Sequence, residues 1–519
     1  MTQTASGQSL NTAQTTYLVD GSEWRGDAQF TWRKRLGASG RSIVAEYRAG
    51  LQDSDRETDL ESTISGGSGG GREVTTQDLL QKQENAGRTR NNSVRFSLTQ
   101  RLGDSYSLEI FGRGNTVDQD QDQSVYDLTG DRRVRNADLS SGFERACSYL
   151  NAGARFSRNT ENAWITLGLR GQRSSLEGTI VDREPITSGY THLLANLDFK
   201  WQLKESQNVG LRYITSTREP SLTELQPFAD NRDPINVYVG NPGLEPEYSH
   251  RLNADYRFFD QFSFVNLFAQ AGFSYTSNPI ARERVFDDQG FQTITPINTN
   301  PEWSANTDLT FGTPIRRLGV DVDLEYRVNY SKGWELVNRE TNQSRVVSNT
   351  VEASLENRSK DVFDVRAGAN FAFNDVEYSL NQALDRDYVN SRYFADATVY
   401  LGAWTLGSTF NWRVYDEDLY SQGTQSGGEE TAAPGRNVAF WDARVSRRLL
   451  NDRAELELRA YDLLNQNQAV NISNSASFIQ ESRTESLGQY LMVRVMYRLG
   501  LQGLQGLRGR GGGRGPRGR

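Results

Sequence analysis

Along much of this chain apolar and polar residues alternate with a period of two. Leu193, Ala195, Leu197, Phe199, Trp201 and Leu203 interleave with Leu194, Asn196, Asp198, Lys200 and Gln202. A helix would repeat every 3.6 residues instead, so these are strands. The same period returns at Leu318, Val320, Val322, Leu324, Tyr326, Val328 and Tyr330, at Phe363 to Phe373, and at Leu491 to Leu499. The runs are about 9 to 14 residues long, whereas strands of soluble proteins average about five or six. Strands of about 9 to 11 residues, tilted by about 45°, cross a bilayer with the apolar face on lipid and the polar face on an aqueous interior. The pattern predicts an all-β fold, a transmembrane antiparallel β-barrel.

The links between runs alternate in length. Short ones fall at residues 35–41, 102–105, 157–162, 203–207, 258–261, 314–317, 358–361, 401–403 and 447–453. Long polar ones fall at 50–91, 115–144, 174–190, 217–248, 279–302, 332–344, 377–388, 416–436 and 465–484. Tight periplasmic turns on one rim and large loops on the other are the outer-membrane arrangement. Trp32, Tyr106, Trp201, Phe258, Phe259, Phe262, Trp404 and Tyr497 gather near the short links or the last strand end, as a periplasmic girdle would. A soluble propeller would show a repeat of about 40 to 50 residues, and none is present.

This segmentation gives about nineteen strands, the first near 28–34 and the last near 489–499. Bacterial single-chain barrels have even counts with both ends periplasmic. A complete barrel of about 22 strands, the size with a plugged lumen, would restore the parity with three strands ahead of the first. The expectation is therefore an open edge on the first strand and a need for further strands. Residues 1–27 then read as an outer loop or the remnant of a preceding strand, 28–499 as barrel, and 500–519 as a disordered, Gly/Arg-rich periplasmic tail. The opening ten residues have neither a basic start nor an apolar stretch, so a true start upstream is expected.

Composition narrows the alternatives. The 519 residues carry 58 Lys+Arg against 66 Asp+Glu, a net charge of −8, and only 36% are hydrophobic. No apolar run approaches the roughly 18 to 20 residues of a membrane helix, and the charge balance argues against a nucleic-acid partner. The 9 Trp, 22 Tyr, 23 Phe and 47 Gly suit strands and turns. Cys147, the single cysteine, permits neither an intrachain disulfide nor a multi-cysteine metal site. His192 and His250, far apart in sequence, lower the case for a hydrolytic triad. Gly66 to Gly70 matches G-x-S-x-G but lies in a low-complexity run without a strand-turn-helix context. Asp118, Asp120 and Asp122 have calcium-loop spacing, but Gln123 and Thr129 stand where Gly and Glu are needed, leaving at most a weak cation site in an outer loop. The reading is a non-enzyme with no catalytic residue, cofactor or metal site.

On the polar face lie Arg95, Glu109, Arg170, Asp198, Lys200, Asp321, Asp323, Glu325, Arg327, Arg366, Glu455, Glu457 and Arg459. They either solvate a wide lumen or hold a plug through charged hydrogen bonds, and plug docking is the favoured reading. His192 faces the lumen beside them, in a structural role.

Residues 212–256 carry Arg218-Glu219-Pro220-Ser221, Leu225-Gln226-Pro227-Phe228, Asp233-Pro234 and Gly240-Asn241-Pro242-Gly243-Leu244-Glu245-Pro246-Glu247. This stretch resembles TonB-dependent outer-membrane receptors, within the outer membrane β-barrel family. Five of the chain's 12 prolines lie here, fixing φ along a long link. The loop is read as architecture folded at the barrel mouth, with substrate contact as the functional alternative. The resemblance implies the barrel domain of a receptor for a scarce nutrient such as a siderophore, cobalamin, glycan or peptide, in the outer membrane of a Gram-negative-type bacterium. Its implied partners are outer-membrane lipid, a plug domain with the remaining strands, and an inner-membrane energy-coupling complex acting through that plug. The rival readings are a non-transporting surface adhesin or scaffold and a passive pore.

Overall fold

The computed structural model describes residues 2–3, 9–37, 40–66, 75–130, 132–137, 139–180, 185–226, 229–230, 235–287, 291–415, 437–466, 468–474, 479–485 and 488–498. Among them nineteen long strands join in one antiparallel sheet. They are β1 (Ser9–Leu36), β2 (Arg41–Gly66), β3 (Thr75–Leu102), β4 (Tyr106–Thr129), β5 (Ser141–Asn159), β6 (Ala163–Ile180), β7 (Ile186–Lys204), β8 (Gln207–Arg218), β9 (Glu247–Phe259) and β10 (Asn266–Ser277). Then follow β11 (Glu302–Ile315), β12 (Val320–Val337), β13 (Glu340–Asn357), β14 (Phe363–Tyr378), β15 (Arg386–Leu401), β16 (Trp404–Val414), β17 (Asn437–Leu449), β18 (Ala454–Tyr461) and β19 (Tyr490–Tyr497). Each pairs with the next in sequence, the meander of an outer-membrane barrel wall.

Register keeps the two faces distinct across strands. Leu324 lies opposite Phe311 and Ala353 on the outer face, whereas Asp323 lies opposite Gly312 and Ser354 on the inner one. The short turns use left-handed backbone: Gly103 (φ 77°) and Gly402 (φ 61°) have open space around them, so conformation rather than crowding makes glycine suitable there. Trp32, Tyr106, Trp201, Trp404 and Tyr497 are all exposed beside that rim.

The long links differ most from the sequence reading. Residues 50–91 and 115–144, expected as loops, are largely strand, because β1 to β4 run for 24 to 28 residues each. Crossing a bilayer takes about 9 to 11 residues, so about 15 residues of each strand, roughly 50 Å of strand length, continue above the membrane as a tall wall. Link 332–344 shrinks to a two-residue turn, Asn338 (φ 51°) and Arg339 (φ 69°), both left-handed as a type I′ hairpin requires. Asp118, Asp120 and Asp122 lie on β4 instead of in a loop, paired with Arg90, Arg88 and Ala86 of β3. Residues 416–436 and the tail 500–519 lie outside the described residues.

Among the described residues no strand pairs with the outer edge of β19, and β1 carries only the short Thr2–Gln3 pairing on its free side. Both edge strands descend toward the short-turn rim and so run parallel to each other. Cys147 is buried on β5. Two apolar clusters lie at the outer ends of the strands, one around Phe143, Cys147 and Leu176 and one around Val337, Val376 and Tyr378.

The facing implies a clear asymmetry in substitution. Leu324→Arg should cost about 2–4 kcal/mol as a lipid-facing cation near mid-membrane, while Asp323→Asn beside it should stay within about 0.5 kcal/mol. Urea unfolding in lipid vesicles measures both, and equal costs would contradict the assigned faces.

Candidate functional site

The link from β8 to β9 folds into the mouth of the barrel and is clamped at its base. Arg218, the last residue of β8, lies opposite Glu247, the first of β9, and donates to both its carboxylate oxygens at 2.8 and 2.7 Å. Arg218 Nη1 also donates to Glu224 Oε2 at 3.0 Å. Glu224 belongs to helix α1 (Leu222–Leu225), whose capping box is closed by the Ser221 N–H and hydroxyl donating to Glu224 Oε2 at 2.7 and 2.8 Å. Glu247 Oε1 in turn accepts from the Ile280 N–H at 2.8 Å.

The rest of the loop is held by close backbone contact and apolar anchors. At Gly240 a Cβ would fall 2.4 Å from the Gln226 carbonyl oxygen, so only glycine lets the Gly240 N–H reach that oxygen at 2.9 Å. Asn241 donates to the Pro296 carbonyl at 3.1 Å and accepts from the Gly243 N–H at 2.9 Å. Leu225 and Leu244 insert into the cluster of Phe143, Cys147 and Leu176 on the inner face of β5 and β6. Pro220 and Pro246 are buried and Pro242 half-buried. Pro227, Phe228, Asp233 and Pro234 lie outside the described residues. Asn236–Val239 adds in parallel to Gln292–Asn298, which pairs with Ile280–Phe286, and that hairpin touches the outer end of β12.

Between this loop and the wall of β1 to β4 lies a cavity of about 890 Å³. Its wall is mostly uncharged and polar: Gln52 and Ser54 from β2, Gln83, Asn85 and Thr89 from β3, and Gln119, Gln121 and Gln123 from β4. Glu219, Ser221, Thr223, Gln226, Asp230 and Tyr238 form the loop side. At the back sits Arg145, 8% exposed, donating to Gln119 Oε1 at 2.6 Å and the Pro220 carbonyl at 2.8 Å. Its Nε–H and the buried Glu219 Oε1 have no hydrogen-bond partner.

Below the cavity the inner face becomes charged. Glu109 bridges Arg95 at 2.8 Å and Arg155 at 2.9 Å, and Arg170 lies against Gly153 with a buried, unpartnered Nε. Arg327 pairs with Asp308 at 2.6 Å, Asp321 with Arg358 at 3.4 Å, and Arg366 with Glu352 at 3.6 Å. Asp321, Asp323, Glu325 and Arg327 share one face of β12. Lys200 stands 5.3 Å from the Trp164 ring, and Arg459 pairs with Glu457 at 3.6 Å. Asp198 lies opposite Arg212 in the β7–β8 register. These residues are spread around the wall and form no single centre. His192 contacts the rings of Tyr190 and Tyr248, and Tyr213 and His250 share a 2.7 Å hydrogen bond.

The amides of the cavity were missed from sequence because hydrophobic alternation was the guide, and the tall wall is polar on both faces. A second signal was available: Gln52, Ser54, Arg56 and Thr58 alternate with Asp53, Asp55, Glu57 and Asp59, a period of two between neutral-rich and acidic positions.

Two outcomes follow for the loop. Leu244→Ala should weaken its docking by about 2–5 kcal/mol, seen as faster protease cleavage within the β8–β9 link while the barrel keeps its heat-modifiable gel migration. Burial opposes ionisation of Glu224, but the Ser221 N–H and the Arg218 guanidinium outweigh it and hold the carboxyl below the ordinary range. A carboxyl with a depressed folded value stabilises fully above its unfolded value, about 4.3, and loses that contribution as pH falls through the lower folded value. Protease protection of the loop should therefore be flat from about pH 7 to 5 and decline below about 4, and Glu224→Gln should flatten that decline.

Among solved structures, the copper transporter OprC aligns with 92% of this chain and 81% of its own at 10% identity and a TM-score of 0.43. The ferric yersiniabactin uptake receptor FyuA from Yersinia pestis aligns over 94% and 80% at 10% identity and 0.40, and the unliganded ferric citrate transporter FecA over 88% and 61% at 10% and 0.42. No curated protein matches this chain. The model of the outer membrane protein beta-barrel family matches residues 34–399, well over half the chain. That match spans β2 to β4 of the tall wall, the clamped loop and the lumen-facing residues of β12, and the chain belongs to the outer membrane protein beta-barrel family.

Proposed function

We propose that this chain is the barrel domain of a TonB-dependent receptor that takes up a scarce nutrient through the outer membrane. The observation that carries the reading is the roofed polar cavity of about 890 Å³ at the outer mouth. A simple surface scaffold has no use for a deep recess facing its own lumen, and a wide passive pore would keep its mouth clear. The recess has the size of a small-molecule site.

The lumen charges support a second element of the reading. Arg95 and Arg155 both pair with Glu109, while Asp321, Asp323 and Glu325 lie on β12. A wall with basic and acidic regions suits an occupant that docks by charged hydrogen bonds. The occupant is taken to be a plug, through which an inner-membrane energy-coupling complex would act.

Deletion of the chain in its source cells tests this. Growth should fail under limitation of one nutrient, recover with the full chain, and the restored uptake should stop when a protonophore collapses the inner-membrane gradient. Uptake indifferent to the protonophore would make the chain a passive pore, and no defect under any limitation would leave it a scaffold.

A further inference from the structure

We infer that the mouth cavity binds a neutral, polyhydroxylated ligand, an uncharged oligosaccharide segment, through a wall of side-chain amides. The inference rests on the receptor reading and narrows its substrate class.

Small-molecule sites are usually apolar with a few polar groups, and this one reverses that proportion. Gln52, Gln83, Asn85, Gln119 and Gln121 come from three adjacent strands and point the same way, because residues two apart on a strand share a face and the register aligns Gln52 with Thr89 and Thr89 with Gln119. A primary amide offers two donors and an acceptor with two lone pairs, the complement of adjacent hydroxyl groups that both donate and accept. The side chains of Asn85, Thr89 and Gln121 make no hydrogen bond among the described residues, so these groups are open toward the cavity. Deeper in, the buried Arg145 Nε–H and Glu219 Oε1 lack a hydrogen-bond partner behind the cavity wall.

Charge argues against other ligand classes. Arg56 and Arg145 are directed into the cavity and are offset by Glu219 and Asp230, while Glu23 is paired with Arg25 at 3.3 Å. An anionic chelate would meet no surplus of positive charge. An apolar ligand would strip water from amides without replacing their hydrogen bonds, which costs more than its own burial returns. The change of character is sharp along β3 itself, where Gln83, Asn85 and Thr89 line the cavity and Arg95, further down the same face, belongs to the charged lumen.

Calorimetry on the purified full chain in detergent would use a panel of neutral gluco-, manno-, galacto- and xylo-oligosaccharides, with an oligogalacturonate and ferric citrate as anionic probes. At least one neutral oligosaccharide should bind, and neither anionic probe should. Gln121→Leu and Asn85→Leu should each weaken binding by about tenfold with heat-modifiable gel migration unchanged. Binding of an anionic probe alone, binding of none of the panel, or unchanged affinity in both variants would overturn the inference. The deletion strain separates the two readings: a growth defect confined to an iron chelate keeps the receptor and removes the neutral ligand. Oligosaccharide binding without any growth defect keeps the site and removes the receptor.

Discussion

Hydrocarbon offers a peptide group nothing to bond with, and that fact governs this molecule. Each unsatisfied N–H or C=O in a bilayer core costs several kcal/mol, so every crossing segment must be paired on both sides by its neighbours. The chain answers with eighteen consecutive antiparallel pairings among nineteen strands, which pair β2 to β18 on both sides and, among the described residues, leave the outer edges of β1 and β19 without a long partner. Once strands are paired in register, side chains alternate between lipid and lumen, and the amphipathic pattern follows from the ladder. The short turns follow too, since neighbouring strands closely joined on one rim leave the other rim free to elaborate.

That elaboration takes two forms which meet. One is the extension of β1 to β4 beyond the membrane, where the ladder continues although lipid no longer demands it. There the outer face carries ion pairs such as Arg88 with Asp53 at 2.6 Å, individually weak in water, and the inner face meets the loop across the cavity. The other is the loop itself, whose two ends are drawn together by Arg218 and Glu247 at the point where β8 and β9 cease to pair. Nearby, burial and the Glu247 carboxylate push the Glu302 carboxyl above the ordinary range. The loop is therefore bound to the barrel by a charged clamp below and by Leu225 and Leu244 above.

What could be read from sequence divides along the same line. Where lipid forces alternation, as at Leu193 to Leu203 or Leu318 to Tyr330, the strands and their number were visible without coordinates. Where both faces meet water, alternation of hydrophobicity vanishes, and residues 50–91 and 115–144 looked like loops although β2, β3 and β4 continue through them. The proline-rich link announced itself by composition, but the contacts of Gly240 with Gln226 and of Asn241 with Pro296 join residues brought together only by folding. The cavity was invisible for a related reason: Gln52, Gln83 and Gln121 are unremarkable singly, and only register gathers them.

The wall rising on one flank also changes how a solute reaches the mouth. A bare rim must be struck directly, and its width then limits the rate of capture. A polar face with about 50 Å of strand length above the membrane, leading down into the recess, would let a weakly held molecule descend by short hops along a surface, a search in two dimensions instead of three. Were this barrel to take up a solute, its collecting area would grow with the extent of β1 to β4 rather than with the bore of the opening alone.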